Sequence, residues 1–588
     1  MGHTTYGVRT GRRVLAVACA AAAAAAFLAV SPGGAAPARA ESNGVGLTPA
    51  MGWSTWSFIR RSPTAAKVEA QALALKNSGL AALGYDYVNL DDFWYVCPGS
   101  QGPSVDANGR WVTDTSKFPN SGSTNGIAVV ASYVHSLGLK FGLYVTPGIS
   151  DQAVAQNTPI LGTNDTAAQI ANGVSEHNYN CHGMQGIDYS KPGAQAFINS
   201  WADEFASWGV DYVKLDGVGA SDIPDLQAWS AALVQTGRPI HLELSNSLAI
   251  ADAATWAKYS NGWRTGGDIE CYSCETGGSS YPLTSWASVQ SRFSQVASWQ
   301  PYGGPGAFND YDSTEVGNGS NDGLTAPERQ SQLSLWAMAA SPLILGTDLT
   351  HLDSTDLGYL KNTAVIAVDQ DAIDAKRVVD SGNDMVYAKT ESNGDVIIGL
   401  FNYSGTSSTT DTVNLASAGI SGSASATDLW TGASLGTISG TYSVNLGPGA
   451  VRLTKAVPAS GGSITIQASA PGNTLSGAAV VAACSGCSNG QKVRFIGNTA
   501  SNYIVINNND EAAAGNYTLT FAYCVDGTRT FDISVNGGTA TAATVSGTSW
   551  ETPANDSIPV TLNAGENTIK FFNNTAWAPD LATITVSS

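Results

Sequence analysis

Acidic and aromatic side chains close a series of short apolar runs in the first two thirds of the chain. One lysine and one arginine also lie at the ends of these runs. The full set is Trp56, Asp91, Asp92, Tyr144, Lys214, Asp216, Glu243, Arg264, Asp268, Asp310 and Asp312. Carboxylates accept hydrogen bonds from vicinal hydroxyls, and aromatic rings stack on the apolar face of a sugar ring. The six histidines form no Ser-His-Asp or HExxH pattern. The set therefore favours carboxylate chemistry on an uncharged, polyhydroxylated ligand.

The apolar runs that carry these residues alternate with amphipathic segments such as Ala65–Ser78, Ala194–Trp208 and Ala326–Ala339. Eight alternations over about 320 residues predict a (β/α)8 TIM barrel, whose active site lies at the carboxyl ends of its strands. A doubly wound open sheet is the rival, but no glycine-rich phosphate-binding fingerprint follows the first run. The predicted strands are Gly52–Phe58, Tyr85–Trp94, Lys140–Thr146, Asp211–Asp216, Ile240–Ser245, Trp263–Asp268, Phe308–Asp312 and Pro342–Gly346.

After Gln370 the residue pattern changes to short runs of alternating apolar and polar residues, separated by Gly, Ser and Thr. This pattern is typical of all-β sandwiches. We therefore predict an α/β fold, a (β/α)8 barrel over 41–373 followed by two β-sandwich domains. The first covers 374–457, a Ser/Gly linker covers 458–463, and the second covers 464–588.

The net charge limits the classes of partner that the protein can bind, and the N-terminal segment indicates where it is located. Lys+Arg number 28 against 47 Asp+Glu, a net charge of −19, which argues against nucleic-acid binding. Residues 1–40 have the pattern of a signal peptide, with Arg12-Arg13 before the apolar stretch Val14–Val30 and then Ala38-Arg39-Ala40. The arginine pair leaves general and twin-arginine export both open. The sequence predicts a secreted protein without a membrane span after cleavage.

Eight cysteines occur, of which Cys19 leaves with the predicted signal peptide. The CxxC pairs Cys271/Cys274 and Cys484/Cys487 are compatible with zinc half-sites, but no histidine is spaced to complete a four-ligand set. Disulfides are favoured in an exported chain, and no metal or cofactor is predicted. With seven cysteines at least one stays unpaired, and the connectivity is left open.

Six segments together resemble glycoside hydrolase family 27, the family of α-galactosidases and α-N-acetylgalactosaminidases. The resemblance covers most of 47–373, in order, through Pro49-Ala-Met-Gly-Trp-Ser-Thr-Trp56, Val88-Asn-Leu-Asp-Asp-Phe-Trp94, Asp211-Tyr-Val-Lys-Leu-Asp-Gly217, Trp263-Arg-Thr-Gly-Gly-Asp268, Gly306-Ala-Phe-Asn-Asp310 and Ile366-Ala-Val-Asp-Gln-Asp371. It implies an enzyme that hydrolyses galactosides with retention, Asp216 being the nucleophile and Asp268 the general acid and base.

Retention needs two carboxyl groups about 5–5.5 Å apart, one ionised and one protonated. Lys214 lies on the same face of its strand as Asp216, so we expect it to keep that carboxylate ionised. The charge of Asp216 is expected to raise the pKa of Asp268. The resemblance also implies a sugar-binding role for Trp56, Asp91, Asp92, Tyr144, Lys214, Glu243, Arg264 and Asp312, with Asp91 and Asp92 contacting the 4- and 6-hydroxyls of galactose.

Several walls of the predicted site depart from the family pattern. The fifth run reads Leu242-Glu-Leu-Ser245, the seventh Asn309-Asp-Tyr-Asp-Ser313, and the loop Ile149–Asp188 is expanded. Two other specificities on the same barrel, β-L-arabinopyranosidase and isomalto-dextranase, stay open as alternatives. A non-catalytic, lectin-like protein is a third alternative, which intact Asp216, Asp268 and Lys214 disfavour.

The C-terminal domain resembles family 35 carbohydrate-binding modules. The segments that carry this resemblance are Ala470-Pro-Gly-Asn-Thr-Leu-Ser-Gly477, Cys484-Ser-Gly-Cys487, Val535-Asn-Gly-Gly538 and Trp577-Ala-Pro-Asp-Leu581. It implies a sugar site that includes Asn574, Trp577 and Asp580. The first strand, Ile466-Gln-Ala-Ser469, lacks the glutamates that hold calcium in many such modules, so calcium is not predicted.

Overall fold

A computed structural model describes residues 43–275, 278–459, 464–511 and 514–587, so the predicted signal peptide lies outside the described residues. Eight parallel strands form one sheet and are numbered in chain order: β1 Met51–Ser54, β2 Tyr87–Leu90, β3 Lys140–Val145, β4 Tyr212–Asp216, β5 His241–Ser245, β6 Gly262–Arg264, β7 Phe308–Asp310 and β8 Leu343–Leu345. Their order in the sheet is β7-β6-β5-β4-β3-β2-β1-β8. The predicted barrel is confirmed.

A single residue beyond β7 closes this sheet into a barrel. The Thr314 amide donates to the Ile344 carbonyl at 2.8 Å, and the Gly346 amide donates to the Thr314 carbonyl at 3.2 Å. These bonds join the segment that follows β7 to β8, the other edge strand of the sheet. All eight carboxyl ends therefore meet on one rim.

Helices follow the strands, and their ends are set by local sequence. The Thr64 hydroxyl caps Ala65–Asn77 by accepting from the Lys67 amide, and Gly209, at φ 86°, ends Pro192–Trp208. These helices bury the apolar residues of one face and expose the polar residues of the other. This is the amphipathic pattern from which the helical segments were predicted. The α-helices are Trp56–Ile59, Ala65–Asn77, Gly126–Ser136, Asp151–Gln156, Ala167–Ile170, Pro192–Trp208, Ile223–Gln235, Ala253–Tyr259, Trp286–Trp299, Ala326–Met338, Ser354–Leu360 and Thr363–Gln370.

Several strands are shorter than predicted, and this moves site residues into the loops. β2 ends at Leu90 and β6 at Arg264, so Asp91, Asp92 and Asp268 all lie beyond their strands. Positive φ angles at Phe93 (72°) and Asp312 (82°) interrupt the extended chain. The loop after β3 carries its own small antiparallel sheet, made of Ile149–Ser150, Ala171–Glu176 and Met184–Ile187.

The first antiparallel domain packs on the barrel. Met385, Tyr387, Phe401 and Leu453 belong to the same buried apolar cluster as the barrel's own core, and the Tyr387 hydroxyl donates to the Phe293 carbonyl at 2.6 Å. Its strands are Lys376–Ser381, Asp384–Thr390, Val396–Asn402, Thr409–Asn414, Ser423–Asp428, Ser434–Ser439, Thr441–Leu446 and Val451–Pro458.

The last domain has a separate apolar core, which includes Phe521, Phe531 and Phe571. Its strands are antiparallel, in agreement with the predicted second sandwich: Ile464–Gln467, Thr474–Ser476, Val480–Ala483, Gln491–Arg494, Tyr503–Glu511, Gly515–Val535, Thr541–Leu562, Gly565–Phe572 and Asp580–Ser587. The predicted domain boundaries remain predictions. Within the ranges described, no helix has the length and apolar character needed to cross a membrane.

The contact between β2 and β3 leaves no room for a larger residue at Gly142. A β-carbon there would lie 2.1 Å from Oδ1 of Asn89 and 3.2 Å from Cβ of Tyr212, both barrel-strand residues. We expect Gly142→Ala to lower the free energy of unfolding by about 1–3 kcal/mol, because overpacking forces the strands apart.

Urea denaturation followed by tryptophan fluorescence measures this effect. Gly358→Ala is the matched control, since no atom lies within 4 Å of a β-carbon at this helical glycine. Alanine there should be neutral or slightly stabilising. Equal stability of the two variants would contradict the packing argument.

Candidate active site

An open cleft of about 460 Å³ lies at the carboxyl ends of the barrel strands. Seven of the ten predicted site residues line it, and loop residues complete its walls. The lining residues are Trp56, Arg61, Asp91, Asp92, Tyr144, Tyr179, Asn180, Lys214, Asp216, Ser245, Asn246, Gly267, Asp268 and Tyr272. The cleft therefore brings the two predicted catalytic carboxyl groups, Asp216 and Asp268, together.

Lys214 pairs with Asp91 at the floor of the cleft. Its Nζ lies 2.7 Å from Oδ2 of Asp91, whose Oδ1 accepts from the Asp92 amide at 2.8 Å. Burial acts to lower the pKa of Lys214, but the carboxylates of Asp91 and Asp216 raise it above the usual value for lysine. Lys214 therefore stays charged, and its direct partner is Asp91, not Asp216.

Asp216 ends β4 and faces the cleft. Burial raises the pKa of Asp216, and the nearby carboxylates of Asp91 and Asp268 act in the same direction. The charge of Lys214 and a hydrogen bond from Ser245 oppose this change. Lys214 thus limits the cost of ionising Asp216 but does not outweigh the effect of burial on its pKa.

Asp268 stands at the edge of the cleft with 43% of its side chain exposed. Its Oδ1 lies 3.1 Å from an Arg264 guanidinium nitrogen, and the Tyr272 hydroxyl donates to Oδ2 at 2.6 Å. Burial acts to raise the pKa of Asp268, but Arg264 and the Tyr272 hydrogen bond hold it below the usual value. The expected rise is therefore wrong, because the sequence did not show that Arg264 and Tyr272 both contact this carboxylate.

Asp92 and Tyr144 form the wall next to this floor. The Asn180 side-chain amide donates to Oδ2 of Asp92 at 2.6 Å, and burial raises the pKa of Asp92 to about 6. The Tyr144 hydroxyl is buried and has no hydrogen-bond partner among the described residues. This wall therefore offers a carboxylate and an unsatisfied hydroxyl to a polar ligand.

Glu243, Arg264 and Asp312, the other three predicted residues, line a narrower space beneath the open cleft. Arg264 lies 2.6 Å from Asp312 and so links Asp312 to Asp268. Glu243 is 2% exposed, pairs with His241 at 2.9 Å, and has its pKa raised to about 8 by burial. Arg264 thus connects this narrower space to Asp268, and the predicted sugar contact of Glu243 stays a prediction.

Two disulfides hold the loop residues that the sequence analysis missed. Cys97–Cys181 fixes the segment carrying Tyr179 and Asn180, and Cys271–Cys274 encloses Tyr272. The signal for both was present, since each segment adjoins a cysteine and one CxxC lies just after Asp268. The predicted preference for disulfides over zinc is confirmed. Cys484–Cys487 forms a third bond, and Cys524 is buried and unpaired.

Two clusters of metal-ligand residue types occur among the described residues. Asp268, Glu270 and Asp312 place carboxylate oxygens within 4.8 Å of one another, but Arg264 contacts two of the three. Cys484, Cys487 and Cys524 are equally close, but two of them are joined as a disulfide. Both clusters therefore already have partners for their charge or their sulfur atoms.

A second cavity, of about 500 Å³, opens on the last domain. Trp577 and Asp580 line it together with the residues Lys492, Arg494, Phe495, Arg529, Trp550 and Glu551. Asp580 lies 3.0 Å from Lys492, and the Trp577 and Phe495 ring centroids are 5.9 Å apart. The predicted residue Asn574 is exposed and is not part of this lining.

Comparison with known proteins gives the following matches. The family model described as "Alpha galactosidase A" matches residues 48–170 and 167–371, and the "Alpha galactosidase C-terminal beta sandwich domain" matches 381–456. The chain is 33% identical to alpha-galactosidase 2 of Arabidopsis thaliana over 66% of this chain and 84% of that protein. It is 33% identical to the alpha-galactosidase of Cyamopsis tetragonoloba over 71% of this chain and 88% of that protein.

A solved structure is also similar. The GH27 β-L-arabinopyranosidase of Geobacillus stearothermophilus superimposes with a TM-score of 0.64 and 30% identity, over 71% of this chain and 98% of that one. The segments matched by the family models end at residue 456, so the resemblance of 464–588 to a carbohydrate-binding module stays a prediction.

The raised pKa of Glu243 makes stability depend on pH in a defined direction. With a pKa of about 8 in the fold and about 4.5 unfolded, wild type loses stability as pH rises from 4.5 to 8. Glu243→Gln mimics the protonated side chain. We therefore expect the variant to match wild type near pH 5 and to gain on it by up to about 1.4 kcal/mol per pH unit above that.

The measurement is the free energy of unfolding in urea at pH 5, 6.5 and 8. Glu566→Gln, at an exposed position, should follow wild type at every pH. A stability difference between Glu243→Gln and wild type that does not change with pH would contradict the buried, protonated state of Glu243.

Proposed function

We propose that this chain, which belongs to glycoside hydrolase family 27, removes terminal α-galactosyl residues from oligo- or polysaccharides by double displacement. The matches to the alpha-galactosidase family models and to the relatives named above support this proposal. The observation that carries the proposal is one cleft in which two carboxyl groups have different surroundings. Asp216 is enclosed beside Lys214, whereas Asp268 stands at the exposed edge with Arg264. A nucleophile must lie under the sugar ring, and an acid must reach the leaving oxygen at the mouth.

In the first step, the Asp216 carboxylate attacks the anomeric carbon while Asp268 gives its proton to the leaving glycosidic oxygen. In the second step, Asp268 takes a proton from water, which attacks the same carbon and releases Asp216. The positive charge of Lys214 favours the ionised nucleophile. A bound sugar excludes water from Asp268, and stronger burial raises the pKa of Asp268 toward the value an acid needs.

The two carboxyl groups are expected to respond differently to substitution. Asp216→Asn should leave less than a few per cent of the wild-type rate on a nitrophenyl α-galactoside, because the amide does not act as the nucleophile. Asp268→Ala should retain cleavage of activated substrates and be accelerated by azide, since a small anion attacks the glycosyl-enzyme without base assistance.

Steady-state kinetics with and without azide measure both effects. The exposed Asp203, which accepts a hydrogen bond from Gln235, gives the control Asp203→Asn, with wild-type rates. Substantial turnover by Asp216→Asn would remove the proposed nucleophile. Azide acceleration of Asp216→Asn that yields a galactosyl azide of retained configuration would exchange the two roles, because only an acid/base variant still forms the glycosyl-enzyme that azide attacks.

Asp91 and Asp92 support the choice of galactose. Asp91 is held by Lys214 and Asp92 by Asn180, so both carboxylates have fixed directions in the cleft. An equatorial 4-hydroxyl is displaced from the axial one far enough to lose a directed hydrogen bond. A carboxylate left unpaired in a buried site costs about 1–3 kcal/mol.

A second candidate, β-L-arabinopyranosidase activity, is favoured by the similarity to the Geobacillus stearothermophilus enzyme. L-Arabinopyranose has the ring stereochemistry of galactose but lacks the 6-hydroxymethyl group, so the Asp91–Asp92 pair does not by itself reject it. The space beside Trp56 decides between the two sugars.

The ratio of kcat/KM for nitrophenyl α-galactoside, α-glucoside and β-L-arabinopyranoside tests this choice. We expect the α-galactoside to exceed the α-glucoside about tenfold to a hundredfold. A faster β-L-arabinopyranoside would replace the galactosidase proposal by the second candidate. Equal cleavage of the glucoside, or release of isomaltose from dextran, would contradict both.

We propose that the last domain binds carbohydrate through the cavity that Trp577 and Asp580 line. The Trp577 ring offers a face for stacking, and the charged groups around it offer hydrogen bonds to hydroxyls. Tethering such a site to the barrel raises the local concentration of a polymeric substrate.

Trp577→Ala should therefore weaken retention on an insoluble galactose-containing polysaccharide about tenfold while leaving kcat/KM for nitrophenyl α-galactoside unchanged. A pull-down assay measures retention. Asn574→Ala, outside the cavity lining, should cause a smaller loss. Unchanged retention for Trp577→Ala would contradict a sugar site in this cavity.

We also propose that the protein acts outside the cell. The signal-like segment over 1–40 and the three disulfides of the described residues support export.

A further inference from the structure

The loop that follows β6 brings a tyrosine into direct contact with Asp268. Cys271 and Cys274 are joined and enclose Tyr272. Backbone bonds fix the base of this small ring, because the Cys271 amide donates to the Leu283 carbonyl at 2.9 Å and the Cys274 amide to the Cys271 carbonyl at 2.8 Å. The position of Tyr272 is thus set by a covalent link as well as by hydrogen bonds.

The hydrogen bonds of the Tyr272 hydroxyl have only one consistent direction. The Trp56 indole Nε1 lies 2.9 Å from the hydroxyl oxygen, and an indole N–H is a donor only. The tyrosine oxygen therefore accepts from Trp56, and its own proton points to Oδ2 of Asp268, 2.6 Å away. The chain of donors runs from Trp56 through Tyr272 to the Asp268 carboxylate.

A cation lies over the ring of Tyr272. The Arg60 guanidinium lies 4.6 Å from the ring centroid and 2.8 Å from Glu275, at the end of the same loop. Arg60, Trp56 and the disulfide therefore place the hydroxyl independently of any ligand. Tyr272 nevertheless has 46% of its surface exposed, so it forms part of the cleft wall.

The other charged and titratable groups around Asp268 come from four parts of the chain. Arg264 at the end of β6 and Lys214 on β4 favour its ionised form. Asp216 on β4 and Glu270 on the same loop disfavour it, and Asp312 after β7 is held by Arg264. Tyr179, on the loop after β3, also interacts with Asp268. Of these groups, Tyr272 and Arg264 make the hydrogen bonds to the carboxylate.

We propose that Tyr272 is a positioning residue that holds Asp268 in the ionised, base-ready form through its hydrogen bond to Oδ2. This role rests on the proposed function. In the second step of the reaction, the water oxygen bonds to the anomeric carbon, the bond from that carbon to Asp216 breaks, and the water proton passes to Asp268. Tyr272 keeps its own proton throughout.

Removal of the hydroxyl should change the pH dependence of both steps in one direction. A hydrogen bond to a charged group that is partly exposed corresponds to a pKa change of about 1 unit. The high-pH limb of kcat/KM requires protonated Asp268, and the low-pH limb of kcat for an activated substrate requires ionised Asp268. Both limbs should therefore move to higher pH by about 1 unit in Tyr272→Phe.

The experiment compares pH profiles of wild type, Tyr272→Phe and Tyr281→Phe on nitrophenyl and dinitrophenyl glycosides. Tyr281 lies on the same loop, but its hydroxyl donates to Asn318, so its profile should equal that of wild type. The paired variant Cys271→Ser/Cys274→Ser, which keeps the hydroxyl but opens the ring, should move both limbs in the same direction as Tyr272→Phe. It remains informative if Tyr272→Phe does not fold.

Coincident profiles for wild type and Tyr272→Phe would overturn the role of Tyr272, and so would an equal change in Tyr281→Phe. These results are distinct from failure of the proposed function. Wild type that cleaves neither an α-galactoside nor a β-L-arabinopyranoside would remove that function, and the role of Tyr272 with it. If wild type cleaves one of these substrates and the pH profile of Tyr272→Phe equals that of wild type, only the proposed role of Tyr272 is removed.

Discussion

Two cations inside the barrel rim, Lys214 and Arg264, compensate the carboxylates that the strand ends bring together. Burying a carboxylate without a partner costs several kcal/mol, so a rim with this many acids depends on them. Lys214 meets Asp91, and Arg264 meets both Asp312 and Asp268. The register of the parallel sheet places Lys214 beside Tyr144 and Glu243 of the neighbouring strands, so the backbone fixes this pattern of charge.

The same compensation divides the cleft into parts with different chemistry. Around Lys214 the walls are rigid and polar, with Asp91 and Asp92 held by specific partners. At the outer edge, Asp268 is tied to Arg264 below it and Tyr272 above it, and is partly open to solvent. An enclosed inner pocket and a partly exposed outer carboxyl group suit a reaction that keeps one sugar in place while exchanging the group attached to it.

Hydrophobic periodicity and the residues at strand ends were sufficient to predict the barrel and most of the cleft. Trp56, Asp91, Tyr144 and Lys214 were found because a parallel sheet gathers the residues at and just beyond the carboxyl ends of its strands. The environment of Asp268 was predicted incorrectly, because its partner Tyr272 lies on a loop whose path depends on a disulfide. Pairing of cysteines is a tertiary property that spacing does not determine.

Loop residues from distant segments were missed for the same reason. Asn180 contacts Asp92, and its neighbour Cys181 is joined to Cys97 across 84 residues of sequence. Glu243 is a different case: its strand position was predicted correctly, but its burial and its 2.9 Å contact with His241 were not. Side-chain depth follows from packing, which a single sequence does not contain.

Covalent trapping of the nucleophile tests the central claim most directly. 5-Fluoro-α-galactosyl fluoride forms the glycosyl-enzyme faster than the fluorinated intermediate is hydrolysed, so the intermediate accumulates for mass spectrometry. The account predicts one 5-fluorogalactosyl group per chain, mapped by peptide fragmentation to Asp216. A label on another residue, or turnover without a label and with inversion at the anomeric carbon, would contradict it.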